Sequence, residues 1–488
     1  MNERKEMKKL HIIILIIGSL FVLASIFHTN IWFDEAYSVG MANQSLIDIW
    51  KIGGNDVHPV LYYWMLRIVS LLTGGSILAY RIFSAIPIIL LGLIGFTHIR
   101  KDFGNKTGIL FSFLCYFLPI MAVNANQIRM YSWAILIVTI LAIYSYRIYL
   151  GNSEKKNWII FGISSLASIY IHYYGLMAAG LINLFLLIYF IKNKKWKELK
   201  NQIVIGIIQV ALYIPWLIYL LAQMKHVSKG FWIDSEQNKL LQIVGFQMEG
   251  IMNVWVGFIT NILLIILLAV IAYKKRKDKT LDWKPVIYSI AIYLSVIFAA
   301  LIITVVLKTS ILYYRYLFVI TGLYIFVISY ILSKENNIYL ILSVCSIILV
   351  LGITNSVIQI TENYDESNGK QIEYLKENIE EGDVLVYSNI GNGSVFASNF
   401  LNNKQYFYNQ EDWGVVEAYK VWSPQMETCI TTDFLENCTG RIWIIDSEGN
   451  GFFNELFNNE DYKHISTEVF ETEYREYTYN ITLVERIK

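Results

Sequence analysis

The stretch NIWFDEAYSV, Asn30 to Val39, sets two adjacent carboxylates, Asp34 and Glu35, into a strongly apolar chain just beyond its first hydrophobic run. Other ionisable groups recur in the same way, at the ends of apolar runs and wrapped in aromatics. They are Asp56 and His58 in NDVHPVLYYW, Arg81 in AYRIFSA, Arg129 and Tyr131 in NANQIRMYSW, His172, Tyr173 and Tyr174 in IHYYG, and Arg315 in ILYYRYLF. Acids and guanidinium groups together suit the transfer of a sugar from a polyprenyl phosphate. The lipid phosphate leaves readily once cations cover its charge, so no general acid is needed. The acceptor hydroxyl needs a base, and one placed carboxylate supplies it. Asp34 is the candidate base with Glu35 beside it. Arg81, Arg129 and Arg315 are the candidate phosphate ligands. His58, Tyr131, His172, Tyr173 and Tyr174 are candidates for holding substrate, because aromatic rings stack on the apolar faces of sugars.

Each of these residues also has a plainer explanation. Asp34 has the side chain to cap a short helix starting at Glu35. Tyrosines at span ends commonly form the interfacial belt, arginines there snorkel to lipid phosphates, and His58 before Pro59 marks a turn. What favours a site is the combination of one carboxylate pair and three arginines at the ends of different apolar runs on one side.

That shared side follows from the elements that carry the residues. With 488 residues, 55% hydrophobic and a mean hydropathy of +0.45, the chain reads as a polytopic α-helical membrane protein. Apolar runs long enough for a ~30 Å bilayer core lie at about 11–27, 82–99, 107–123, 131–150, 158–173, 176–191, 202–222, 252–273, 285–307, 313–332 and 338–360. The segment 58–74 is short, opens with His-Pro and carries Arg67 in its middle, so it is expected along the membrane surface. With 58–74 outside the membrane, the loops on one side hold 22 Lys and Arg and those on the other hold 9. By the positive-inside rule the N-terminus is cytoplasmic. MNERKEMKKL and the apolar run after it then form an uncleaved first helix, and the candidate residues face outside.

The net charge of +1 hides a division. Residues 361–488 hold 9 Lys and Arg against 24 acids. The reading is therefore a transmembrane domain over 1–360, with an external loop at 28–81 bearing a juxtamembrane helix, and a small extracytoplasmic α/β domain over 361–488. In the second domain QIEYLKENI has helical spacing, GDVLVYS and RIWIIDS read as strands, and YREYTYNITLVER alternates like an edge or hairpin strand. Cys429 and Cys438 lie in this domain, where a bond between them requires an oxidising compartment.

FDEAYS, HPVLYYW, YRIFSA, QIRMYSW and HYYG, in this order and on these loops, resemble the GT-C integral-membrane glycosyltransferases, in particular the protein O-mannosyltransferase-like, family 39 group. The resemblance covers roughly residues 20–330. It implies a GT-C fold of about 11 transmembrane helices, a polyprenyl-phosphate-linked sugar donor, and an extracytoplasmic glycan, lipid or protein acceptor. It also implies an inverting displacement with Asp34 as base, and Arg81 as the characteristic Arg opening the second span. Two departures stand out. The family's His-Pro-Pro is His58-Pro59-Val60 here, and no acid follows Arg129 within the next few residues. Both weaken the case for a protein acceptor and for a two-carboxylate metal site. A divalent metal ion is an open cofactor, with Asp34, Glu35, Asp234, Glu236 and Glu249 as candidate ligands. The rival reading is a transporter or flippase for lipid-linked sugars, which would place its charges near the bilayer midplane on broken helices. Nucleic acid is excluded as a partner, since the basic residues are spread through the interhelical loops.

Overall fold

A computed structural model describes residues 2–487 apart from 231, 232, 234–238, 251, 389, 409–420, 424, 439, 448–460, 473, 474 and 476. The chain divides into two compact units. The first comprises residues 1–26, 57–62 and 81–359, and the second residues 27–56, 63–80 and 360–488. Charge places a boundary at about residue 360. By packing, most of the first external loop belongs with the residues beyond that point.

Among the described residues eight helices are long and apolar enough to cross a membrane: Ile77–Phe103, Tyr131–Tyr149, Tyr173–Lys192, Trp196–Val227, Val254–Lys277, Trp283–Leu307, Tyr314–Leu332 and Ile338–Asn363. Helices also occupy the other three expected spans. Asn2–Leu23 carries the charged N-terminal residues in its first turns, and Lys155–Ile171 is slightly short. The run at 107–123 is not one helix. It breaks into Asn105–Phe117 and Pro119–Asn124, because Pro119 offers no amide and pushes Leu118 into extended backbone, φ −64° and ψ 130°. The helices of this unit differ in burial. Within its apolar window Tyr314–Leu332 is 83% buried and Trp196–Val227 only 11%. The exposed positions of the latter include Ile207, Val210 and Ile218, the face an apolar solvent would cover.

The second unit is built on a six-stranded sheet of β1 Val384–Tyr387, β2 Lys404–Tyr408, β3 Met426–Cys429, β4 Arg441–Asp446, β5 Tyr462–Glu471 and β6 Thr478–Arg486, in the order β3-β2-β1-β4-β6-β5. Strands β1 to β4 run parallel, and their central members are near-continuous apolar runs buried on both faces, as parallel strands require. Strand β6 pairs antiparallel with both β4 and β5, so the alternating segment is an inner strand of a hairpin and β5 forms the edge. The helices Ser367–Asn378 and Ile390–Ala397 belong to this unit. So does most of the external loop, with the helices Phe33–Ala42, Leu46–Gly54 and all but the first two residues of Leu61–Thr73. The last has 13 residues, about 20 Å at 1.5 Å per residue, too short to span. Cys429 and Cys438 are free thiols packed with the sheet core.

Candidate active site

The carboxylates sit in the second unit. The helix that carries them starts at Phe33, with Trp32 in the extended N-cap position. Asp34 is therefore already inside the first turn and does not cap the helix, which removes the capping explanation. Both acids lie where the positive end of the helix dipole favours negative charge. Their surroundings differ, since Glu35 is 1% exposed while Asp34 is only half-buried. Only Asp34 has the access to surroundings that a base needs.

The helix is clamped by the rest of its unit. Gly40 lies against the backbone of residue 421, and a Cβ there would meet the Val421 carbonyl oxygen at 2.5 Å. Phe33 contacts Trp422 with ring centroids 5.9 Å apart, and Tyr37 contacts Tyr63 at 5.7 Å. Just before the helix, Asn30 donates to the carbonyls of Asn363 (3.0 Å) and Asp365 (2.9 Å). The β5–β6 turn places the Arg475 guanidinium 4.5 Å from the Trp32 ring centroid.

The first unit holds a cluster of rings and cations centred on His172. This residue separates the helices Lys155–Ile171 and Tyr173–Lys192. Its Nδ1 accepts from the Tyr174 amide at 3.1 Å, capping the second helix, which leaves Nε2 to carry the proton of the neutral ring. Around it stand His58, Tyr131, Tyr174 and Tyr316, with centroids at 6.3, 5.6, 5.8 and 5.2 Å. Arg129 Nη2 approaches His58 Nε2 at 3.4 Å. Tyr316 contacts Tyr313 at 5.4 Å, and the Arg315 guanidinium lies 5.6 Å from the Tyr313 centroid. A chain of rings thus runs from Arg129 through His58, His172, Tyr316 and Tyr313 to Arg315. Arg81 is buried (1% exposed) and donates to the Asn126 carbonyl at 3.1 Å, so it braces the short segment that ends in Arg129.

Not every expected residue joins this cluster. Tyr173 donates to Gln223 and accepts from Trp216 Nε1 at 3.2 Å, tying together two apolar helices. Tyr313 and Tyr316 belong to the cluster as well, although span-end tyrosines as a class read as interfacial belt. Their signal in the sequence was three tyrosines within four residues around Arg315. Of the candidate metal ligands, Asp234 and Glu236 lie outside the described residues. Among the described residues no three His, Cys, Asp or Glu side chains converge as a metal site. Glu249 ends the helix Lys239–Glu249 with its Oε2 buried and without a hydrogen-bond partner among the described residues, and burial pushes its carboxyl up to about 7.

Comparison with known proteins bears on this arrangement. Residues 57–219 match the family model of dolichyl-phosphate-mannose-protein mannosyltransferases. ArnT from Cupriavidus metallidurans in the apo state aligns over 99% of this chain and 98% of its own, at 9% identity and a TM-score of 0.62. The chain has the GT-C membrane glycosyltransferase fold. The undecaprenyl-phosphate-bound structure of ArnT aligns to this chain over 98% and 97% of the two lengths, at 10% identity and a TM-score of 0.61. No curated protein matches by sequence. The family match spans His58, Arg81, Arg129, Tyr131 and His172 to Tyr174, whereas Asp34, Glu35 and Arg315 lie outside it.

Proposed function

We propose that this protein is an inverting membrane glycosyltransferase. It moves a sugar from a polyprenyl-phosphate donor to a hydroxyl of an extracytoplasmic glycan, lipid or protein. Asp34 takes the proton from the acceptor hydroxyl. The oxygen attacks the anomeric carbon, and the bond from that carbon to the phosphate oxygen breaks, its electrons leaving with the lipid phosphate. Arg129, Arg315 and the His58–His172 pair receive the growing phosphate charge, and the half-buried Tyr316 offers a face to the sugar, with Tyr131 and Tyr174 packed behind it against His172. Glu35, buried on the same turn, orients a neighbouring group or a cation.

The observation that carries this reading is the ring chain linking Arg129 to Arg315 in a chain with the GT-C fold. A fixed set of guanidinium and imidazole groups set among aromatics suits a phosphate joined to a sugar. A solved protein of this fold, ArnT, binds undecaprenyl phosphate, which supports a polyprenyl donor here. The purified protein is to be incubated with a panel of radiolabelled polyprenyl-phosphate sugars and membrane-derived acceptors. Release of free lipid phosphate coupled to labelled product is expected for at least one donor. Labelled donor moved across vesicles without loss of its sugar would instead establish a flippase.

A further inference from the structure

We infer that the first unit also binds a phosphate-headed lipid, in a cavity at the ends of its helices opposite the His172 cluster. On the helix Tyr131–Tyr149 the cluster residue Tyr131 and the cavity residue Tyr144 are 13 residues apart, about 20 Å at 1.5 Å per residue. The cavity has a volume of about 750 Å³, the size of a small-molecule site. Lys101, Arg147, Lys156 and Lys334 line it, against Asp102, Glu154 and Asp282.

Two of the acids are engaged within the chamber wall. Asp102 accepts from Arg147 at 2.8 Å, and Asp282 accepts from the Lys284 amide at 3.0 Å as the cap of the helix Trp283–Leu307. With Arg147 and Asp102 paired, three lysines remain against the charges of Glu154 and Asp282, an excess of one cation that leaves the chamber ready for an anion. Aromatic faces hold two of its cations in place. The Arg147 guanidinium lies 4.9 Å from the Tyr144 centroid, and the Lys334 ammonium 4.6 Å from that of Tyr330.

Two further features make this a built chamber rather than a gap between loops. A π-helical turn, Gly95–Ile99, interrupts the long helix that forms one wall. It is seated by close backbone approach, since a Cβ on Gly95 would meet the Gly108 carbonyl oxygen at 2.8 Å and one on Gly108 would meet that of Gly95 at 2.6 Å. Within the turn both His98 nitrogens are engaged, Nδ1 with Thr97 at 2.8 Å and Nε2 with Tyr144 at 3.1 Å. Secondly, Asp102, Phe103 and Tyr146 line both the chamber and an adjacent narrow apolar crevice of about 40 Å³, walled by Ile99, Phe111, Ala142 and Phe326. A polar anion chamber beside an apolar crevice fits an amphiphile. Its phosphate lies among the lysines, and the first carbons of its chain enter the crevice.

The test uses the full-length protein and native mass spectrometry, with phosphatidylglycerol, a polyprenyl phosphate and inorganic phosphate as separate probes. Each juxtamembrane lysine contributes about fivefold to retention of an anionic lipid, so the triple variant Lys101→Gln, Lys156→Gln, Lys334→Gln is expected to hold phosphatidylglycerol on the order of a hundredfold more weakly. Ala142→Phe, which fills the crevice, is expected to weaken both lipids and leave inorganic phosphate unaffected. Should that variant fail to fold, competition decides alone, because millimolar inorganic phosphate must not displace the lipid. Preferential retention of the polyprenyl phosphate, lost in the triple variant, supports the site with that lipid as occupant. Unchanged lipid retention in the triple variant overturns the site. Displacement of lipid by inorganic phosphate overturns the amphiphile. Neither outcome touches the transfer reaction, which uses none of these residues.

Discussion

The amide of Phe33 donates to the hydroxyl of Tyr477, 3.4 Å away and 444 residues along the chain. Phe33 is the first residue of the carboxylate helix, whose N-cap position, Trp32, provides no side-chain acceptor. The first amides of a helix have no partner within it, and here a tyrosine from the far end of the sequence supplies one. Burial pushes the Tyr477 phenol up, with the nearby Arg475 opposing and the Asp34 and Glu35 charges adding to the rise, so it serves as a neutral hydroxyl. Tyr477→Phe should leave protein levels near normal, at a cost of about 1 kcal/mol for the lost acceptor. Transfer per folded molecule should fall about three- to tenfold as the Asp34 turn loosens. An unchanged rate would mean that the clamps at Asn30, Trp32 and Gly40 position Asp34 without it.

Asp34→Asn should lose ~10²–10⁴-fold in transfer rate, the usual contribution of general base catalysis. Since Asp34 lies within the first turn, neither Asn nor Ala there removes a cap, and each should cost at most ~1 kcal/mol through the helix dipole. Both variants should therefore fold and both should be inactive. Rates per folded molecule decide the matter, and an active Asn variant would pass the role of base to another acid, with the half-buried Asp56 next in line.

The arginines should separate into two kinds. Arg129 and Arg315 stand at the two ends of the ring chain and should lose at least about tenfold in donor use on conversion to Lys, because a point charge cannot replace a two-pronged guanidinium at phosphate. Arg81→Lys should lower folded yield more than the rate, since that side chain is buried and spent on the Asn126 carbonyl. Donor titrations alongside size-exclusion yields distinguish the two effects.

Glu249 gives a pH test. Its folded-state carboxyl, pushed up from 4.5 to about 7 by burial, takes up a proton that the unfolded chain has released in that range. Stability should then fall as pH rises from about 4.5 to about 7 and level off above. Glu249→Gln should flatten this portion of the profile in thermal unfolding scans and stabilise the protein at pH 8. A profile identical to that of the parent would mean that Glu249 is solvated or paired in the folded protein.

Sidedness is open to direct measurement. In a cysteine-free background, single cysteines at the exposed positions Asn55 and Asn378 should react with an impermeant thiol reagent in intact cells, and one at Asn193 should not. The 22-to-9 division of Lys and Arg predicts this pattern. The opposite labelling would put the acceptor reaction in the cytoplasm.

By itself the sequence determined the long helices, because about 20 consecutive apolar residues between basic loops have few other ways to satisfy their backbone. It also determined the central strands, whose continuous apolar runs signal burial on both faces, and the acids and cations from which the site is drawn. The break at Leu118 was local as well, being written in Pro119, although the apolar run around it masked the signal. Tertiary structure alone decided which residues share a place. No local pattern joins Phe33 to Tyr477 or Trp32 to Arg475, so the packing of the external loop with residues 360–488 is invisible in periodicity or charge. The same holds for the His172 cluster, whose members come from four separated segments and whose tyrosines are the same residue type as the belt. Hydropathy reports how far a residue lies from water and says nothing about its neighbours, and neighbours are what make a carboxylate a base or an arginine a phosphate ligand.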